Sequence, residues 1–302
     1  MAKTFPVYDI LTFDDDSARR GLLIGHLGTY VERHYQQVYA AHRHSFYHLV
    51  LFTRGGGSHT IDFITYPVEP GQIYFMVPGQ VHSWHFEGEM DGYIVHFNEE
   101  LFRSFLVDGL YLERFHFFAG NGGEGVCTLS GAALSRVIGL FESMLEAGRA
   151  PKTEGGQWSG GGAQEEMELD MIRIRLLELF IAVERFDTQK KDRNAPPQKL
   201  ALVRAFKLLI DKRFRELKLP KDYAELLHVT PNHLNAVCHE LVGKTAGELI
   251  RDRVVLEAKR LLVNADLSIT QIAYELNFGD GSYFTKFFRK YAGGTPEEFR
   301  RG

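Results

Sequence analysis

Cysteine is nearly absent, with Cys127 and Cys238 the only two in 302 residues. Two thiols cannot build a disulfide framework, so the chain reads as a protein of a reducing compartment whose folds are held by packing. Long apolar runs are missing as well. No stretch approaches the ~18 uncharged apolar residues of a membrane span. The opening MAKTFPVYDILTFDDDSARR lacks the apolar centre and small-residue cleavage site of a secretory signal. These absences predict a soluble, cytoplasmic protein with no membrane partner. Net charge is small too, −4 from 35 Lys plus Arg and 39 Asp plus Glu, which by itself argues against a phosphate-rich partner.

Hydrophobic residues make up 44%, enough to exclude a disordered tail, and the length suits about two domains. The charge is unevenly divided. Cut after Ala195, the first part holds 17 basic and 26 acidic residues, a charge of −9, and the second 18 basic and 13 acidic, a charge of +5. Such asymmetry points to a nucleic-acid-binding domain beside one with another task.

From Gly21 to Phe97 the apolar runs FYHLVLF, HTIDFITY, QIYFMV and GYIVHF are rich in aromatic and β-branched residues. Gly55-Gly56-Gly57, Glu69-Pro70-Gly71 and Pro78-Gly79 separate them. This is an all-β pattern of sandwich or barrel type. The period then becomes helical over Ser130–Leu145 and Glu165–Phe186, with a glycine-rich loop expected over 154–162. In the second helix Leu169, Ile172, Leu176, Leu179 and Val183 form one stripe and Ile174, Leu177 and Ile181 another. A helix apolar on two faces buries both, one on the β-domain and the other on a second subunit or a thicker intramolecular core. The polar, proline-bearing DTQKKDRNAPPQ follows as a linker.

Everything beyond reads helical. Helix starts are expected at Thr230-Pro231, Lys244-Thr245, Ser268, Ser282 and Thr295-Pro296, because Thr-Pro supplies an N-cap followed by proline at the first helical position. Two helix-turn-helix units emerge. In the first, Tyr223–Leu227 is the support helix, His228-Val229 the turn and Pro231–Val242 the following helix. Leu234, Val237, Cys238 and Leu241 face inward, while Asn232, His233, Asn235, Ala236 and His239 face out. In the second, Asn277–Gly281 is the turn and the helix from Ser282 packs Phe284, Phe287, Phe288 and Tyr291 inward. Tyr283, Thr285, Lys286, Arg289 and Lys290 remain outside. The intervening helix, 246–263, would be roughly 27 Å long, a suitable scale for placing two helices in major grooves about 34 Å apart.

These residues resemble the AraC/XylS family of bacterial transcription regulators. The likeness is carried by LLHVTPNHL at 226–234, by Arg253 with AKRLL at 258–262, and by SITQIAYELNFGDGSYFTKFFRKYAGGTPEEFR at 268–300. The resemblance implies that Asn232, Asn235 and Ala236 read bases from the first unit, and Ser282, Tyr283, Thr285 and Lys286 from the second. Thr230, His233, His239, Arg289 and Lys290 complete the candidate DNA contacts. Ala236 stands where a longer side chain is common, Cys238 replaces a core Phe, and Asn277 replaces a turn glycine in a left-handed position that Asn tolerates.

The β-region carries a second cluster, His42, His44 and His48 in AHRHSFYH and His82 and His85 in PGQVHSWHF, with His96 beyond. This arrangement resembles the two motifs of the cupin barrel, with His48 where metal-bearing cupins usually have Glu. His42, His44, His48 and His82 are therefore candidate ligands for zinc, iron, copper or nickel. The competing reading is a metal-free pocket, since alternate strand residues share a face without any ligand role. Phe46, Phe75, His82, Trp84, Tyr93 and His96 are its candidate effector-binding lining.

The fold expected is a two-domain α+β chain. Its parts are a cupin-like effector-sensing β-barrel with an N-terminal arm (1–128), a helical hairpin serving dimerisation (129–186), a linker (187–198), and an all-α domain with tandem helix-turn-helix units (199–302). The function expected is that of a homodimeric, effector-responsive regulator contacting double-stranded promoter DNA in two successive major grooves, and RNA polymerase if it activates. It has no catalytic residues and no required cofactor. The alternative is a metal-dependent cupin enzyme or metal sensor with a DNA-binding appendage.

Overall fold

A computed structural model describes residues 6–13, 21–103, 105–106, 111–118, 120, 123–148, 161–186, 196–263 and 267–301. The chain forms two compact units, Pro6–Lys190 and Lys191–Gly302, the first sheet-rich and the second helical. This is the expected α+β class. The first five residues of the expected arm, residues 154–160 of the glycine-rich loop and 187–195 of the linker fall outside the described residues.

In the first unit a two-stranded parallel pair, β1 (Val7–Tyr8) with β3 (Arg43–His44), accompanies a six-stranded antiparallel sheet. The sheet comprises β2 (Leu22–His26), β4 (Tyr47–Ile61), β5 (Ile64–Pro67), β6 (Gln72–Met76), β7 (His82–Phe97) and β8 (Val126–Thr128). Its order is β2-β7-β4-β6-β8, with β5 on β4. Gly55-Gly56-Gly57, expected to end a strand, instead lie inside the 15-residue β4, where the register with β7 slips twice. Gly57 has φ +116°, and a Cβ there would stand 2.0 Å from the His85 carbonyl oxygen. Glycine thus allows the long strand pair to bend without breaking.

Helix α1 (Leu27–Tyr39), which bends at His34 (φ −122°, ψ 21°), was not expected from the sequence. Its buried residues Leu27 and Tyr30 are three apart, a helical signal hidden among strand-like aromatics. The sheet sorts its side chains by alternation. Leu49, Leu51, Ile73, Phe75, Tyr93, Val95 and Phe97 join one core, whereas Val50, Phe52, Tyr74, Met76, Trp84 and Ile94 join another with Phe13, Tyr30 and Phe46.

The first core is closed by α3 (Gly131–Gly148) and α4 (Gly161–Phe186), after the short α2 (Glu100–Arg103). Helix α4 begins at Gly161, so Gly161 and Gly162 belong to the helix and not to the expected loop. Ile172, Leu176, Leu179 and Val183 are buried in this core, and Arg173 beside them donates to the Leu101 carbonyl at 2.7 Å. The second stripe is open, with Ile174 48% and Ile181 43% exposed.

The helical unit holds α5 (Pro197–Arg213), α6 (Pro220–Leu226), α7 (Pro231–Val242), α8 (Ala246–Leu262), α9 (Ile269–Glu275), α10 (Gly281–Ala292) and α11 (Pro296–Arg301). Helix α5 takes in Pro197 and Gln198, which sequence alone assigned to the linker. An internal repeat organises the rest. The Val229 amide donates to the Ala224 carbonyl and the Phe278 amide to that of Ala273, while His228 and Asn277 occupy left-handed conformations. One turn residue more in the second copy, α7 and α10 each run for 12 residues and end on left-handed Gly243 and Gly293. Thr245 with Glu248 and Thr295 with Glu298 then cap the next helices in both copies. Each cap satisfies orphan amides of a first turn.

Candidate nucleic-acid interface and histidine core

The cap of α7 is Thr230, whose Oγ1 accepts the His233 amide at 3.1 Å, with Pro231 in the first turn. The cap of α10 is Asp280, accepting the Tyr283 amide at 2.7 Å, so the helix starts one residue before the expected Ser282. Leu234, Val237, Cys238, Phe284 and Phe288 are buried, and Leu241 and Phe287 pack against the same core half-buried. Tyr291 departs from expectation. It is 41% exposed, with the Arg251 guanidinium 5.1 Å and the Lys290 ammonium 5.3 Å from its ring centre.

Asn232, His233, Ala236 and His239 are exposed on α7, as are Ser282, Tyr283, Lys286, Arg289 and Lys290 on α10. Two candidate base readers are otherwise engaged. The Asn235 Oδ1 accepts the Ala246 amide at 3.0 Å and so caps α8. A bidentate adenine contact needs both ends of an amide, so Asn235 acts as a tie between helices. The Thr285 hydroxyl donates to the Gly281 carbonyl at 2.8 Å, leaving its methyl as the outward group.

Helix α8 is fixed at both ends. The Arg300 guanidinium donates to the carbonyls of Leu262 and Leu267. Inside, the Arg253 guanidinium joins Asp211 at 2.7 Å and Glu257 at 2.9 Å, and Arg260 and Arg215 approach the same Glu257. Burial works to raise the Glu257 carboxyl, but Arg253, Arg260 and Arg215 outweigh it and hold it below the usual range.

The histidines converge in the other unit. His42 and His82 exchange backbone hydrogen bonds of 2.9 Å each way, which brings the two histidine motifs together. His48 lies opposite His96, and His59 opposite Trp84, across the β4–β7 pair. All six of His42, His44, His48, His59, His82 and His96 are buried. Burial holds the His42 ring down to about 4 and the other five well below the ordinary histidine value, so the six are neutral at pH 7. His59 escaped the sequence reading, although its place two residues before Ile61 in an alternating strand put it on the same face.

The candidate effector lining does not form one surface. Phe46, His82, Trp84 and His96 stand with the histidines, whereas Phe75 and Tyr93 pack against the helices on the opposite face. Strand alternation decides this, because Phe75 neighbours the inward Tyr74 and Met76, and Tyr93 the inward Ile94.

Comparisons with known proteins match both units. A family described as "AraC-like ligand binding domain" matches residues 27–154, and one described as "Helix-turn-helix domain" matches 223–302. The chain belongs to the AraC family. Among curated relatives of this AraC-family chain, the HTH-type transcriptional activator RhaR of Yersinia pestis bv. Antiqua (strain Angola) is 23% identical over 89% of this chain and 87% of its own. An uncharacterized HTH-type transcriptional regulator of Escherichia coli K12, YijO, is 29% identical over 33% of this chain and 36% of its own. Among solved structures, ToxT from Vibrio cholerae O395 aligns over 93% of this chain and 97% of its own at 12% identity and a TM-score of 0.43. The two domain matches and the RhaR relative make the protein an AraC-family transcriptional regulator with a ligand-binding and a DNA-binding domain. Among the described residues, no helix is long and apolar enough to cross a membrane.

Proposed function

We propose that this regulator binds promoter DNA through α7 and α10, each entering a major groove, with successive grooves read along one face of the duplex. The observation carrying the reading is the repeated unit: two capped helices of 12 residues in the same local setting, joined by α8, whose 17 residues span roughly 26 Å. Asn232 and Ala236 read bases from α7, Ala236 by apolar contact, while Ser282, Tyr283 and Lys286 serve α10. Thr230, His233, His239, Arg289 and Lys290 supply backbone contacts, and Arg251 with Tyr291 extends that surface.

The protein acts as a homodimer through the open stripe of α4. Ile174, Leu177 and Ile181 with Arg136 and Phe186 line a groove beside α3, and Met171 continues the exposed apolar face. A second copy would bury this face, which water would otherwise meet. An effector bound in the N-terminal unit shifts the population of DNA-binding arrangements, and the activator name of its relatives supports contact with RNA polymerase. The test is selection of binding sites from random duplexes, then competition at fixed salt. One enriched bipartite sequence is expected, and binding with no base preference would overturn the reading.

A further inference from the structure

We infer that His42, His44, His48 and His82 bind one divalent transition-metal ion through their Nε2 atoms, which makes the N-terminal unit a metal-responsive sensor. The inference rests on the regulator reading above for its consequence, though not for the site itself.

Among the described residues, His42, His44 and His82 form a group whose ligand atoms all lie within 4.8 Å of one another. The His48 ring is centred 4.8 Å from that of His44 and 5.4 Å from that of His82. A tetrahedron of nitrogens with bonds of ~2.0 Å has edges of ~3.3 Å, so small side-chain rotations close His42, His44 and His82, while His48, which lies outside that group, has to turn toward His44 to join it. The Nε2 atoms of His42, His44, His48 and His82 are all buried without a hydrogen-bond partner. A buried polar atom left without a partner is costly. Four such atoms gathered in one place are hard to explain as packing, for which Leu or Phe would serve better.

The opposite nitrogens explain the arrangement. His42 Nδ1 lies 2.7 Å from the Ala40 carbonyl oxygen, which can only accept, so the proton sits on Nδ1 and the lone pair on Nε2. His82 Nδ1 lies 3.1 Å from His59 Nε2, and His48 Nδ1 lies 2.7 Å from His96 Nε2. With His82 and His48 donating, both also present a bare Nε2. This is how outer partners orient metal-bound imidazoles. His59 and His96 are thereby positioning residues. Buried neutral imidazoles without a thiolate suit zinc, copper, nickel or cobalt over calcium or magnesium.

The test strips the full chain with a chelator and titrates it with Co2+, followed by Zn2+ competition. One ion per chain is expected, with the visible absorption of nitrogen-coordinated cobalt. His44→Ala with His82→Ala should lower affinity more than 100-fold, and His85→Ala, an exposed histidine of the same strand, should not. Because the double variant could misfold, the His59 pair is a second arm. His59→Leu should weaken the metal by about 10–100-fold, and His59→Gln, which can still accept from His82, should restore most of it. No stoichiometric uptake, or equal affinity in His59→Leu and His59→Gln, would overturn the site. Metal uptake that leaves affinity for the selected DNA unchanged would overturn the sensor role. Sequence-specific DNA binding without metal uptake would sink this inference and leave the regulator standing, while uptake without specific binding would do the reverse.

Discussion

Asn232 and Asn235 stand nearly one turn apart on α7, yet their surroundings assign them different tasks. Asn232 is exposed, while Asn235 holds the first amide of α8. Asn232→Ala is expected to relax discrimination at one position by about 1–3 kcal/mol without loss of stability. Asn235→Ala should instead cost about 1 kcal/mol of stability and weaken all sequences alike. Thermal melts and competition binding on single-base variants separate the two. Lys290→Ala, which removes a backbone contact, should weaken every site and lower the salt slope by about 1 per subunit. Glu257→Gln leaves Arg253 and Arg260 without their shared anion and should cost about 3 kcal/mol. Since the Glu257 carboxyl is held below its unfolded value of about 4.3, its contribution is complete above that pH. It is lost as pH falls through the folded value, so the gap between wild type and variant in denaturant titrations should narrow on acidification below the unfolded value.

At the scale of elements, legibility depended on whether local chemistry carried the signal. The caps at Thr230, Thr245, Ser268 and Thr295 and the left-handed Asn277 were readable because each acts on its immediate neighbours. Asp280 was misread because aspartate and serine cap equally well and stand two residues apart. The glycine triplet was misread since a bulge and a turn make the same demand on glycine, and only the partner strand distinguishes them. Phe75 and Tyr93 went to the wrong face for want of strand register, in which one step reverses every side chain. The amphipathic stripes of α4 were legible from sequence, and their placement yields a test. Ile174→Glu with Ile181→Glu should turn a dimer into a monomer in sedimentation while leaving thermal stability within about 0.5 kcal/mol of wild type, because both positions are exposed. A stable double variant that still sediments as a dimer would refute this interface.

For the whole molecule, net charge is a poor guide, since the −4 of the chain hides a +5 beyond Ala195. Lys191–Gly302 is a compact unit with its own core. Produced alone, it should keep the sequence preference of the full chain with lower affinity, as gel shifts on the selected site would show. A fragment that bound all sequences equally would mean that discrimination requires more than the two helix-turn-helix units.

The fixed ends of α8 bear on how regulatory DNA can vary. A rod held by the Asn235 cap at one end and the Arg300 guanidinium at the other is a ruler of constant length. One inserted base pair lengthens the duplex by ~3.4 Å and turns it by roughly 35°, and a rigid ruler cannot follow both changes. The two halves of a site read by one subunit should therefore tolerate base changes more readily than a change in their separation.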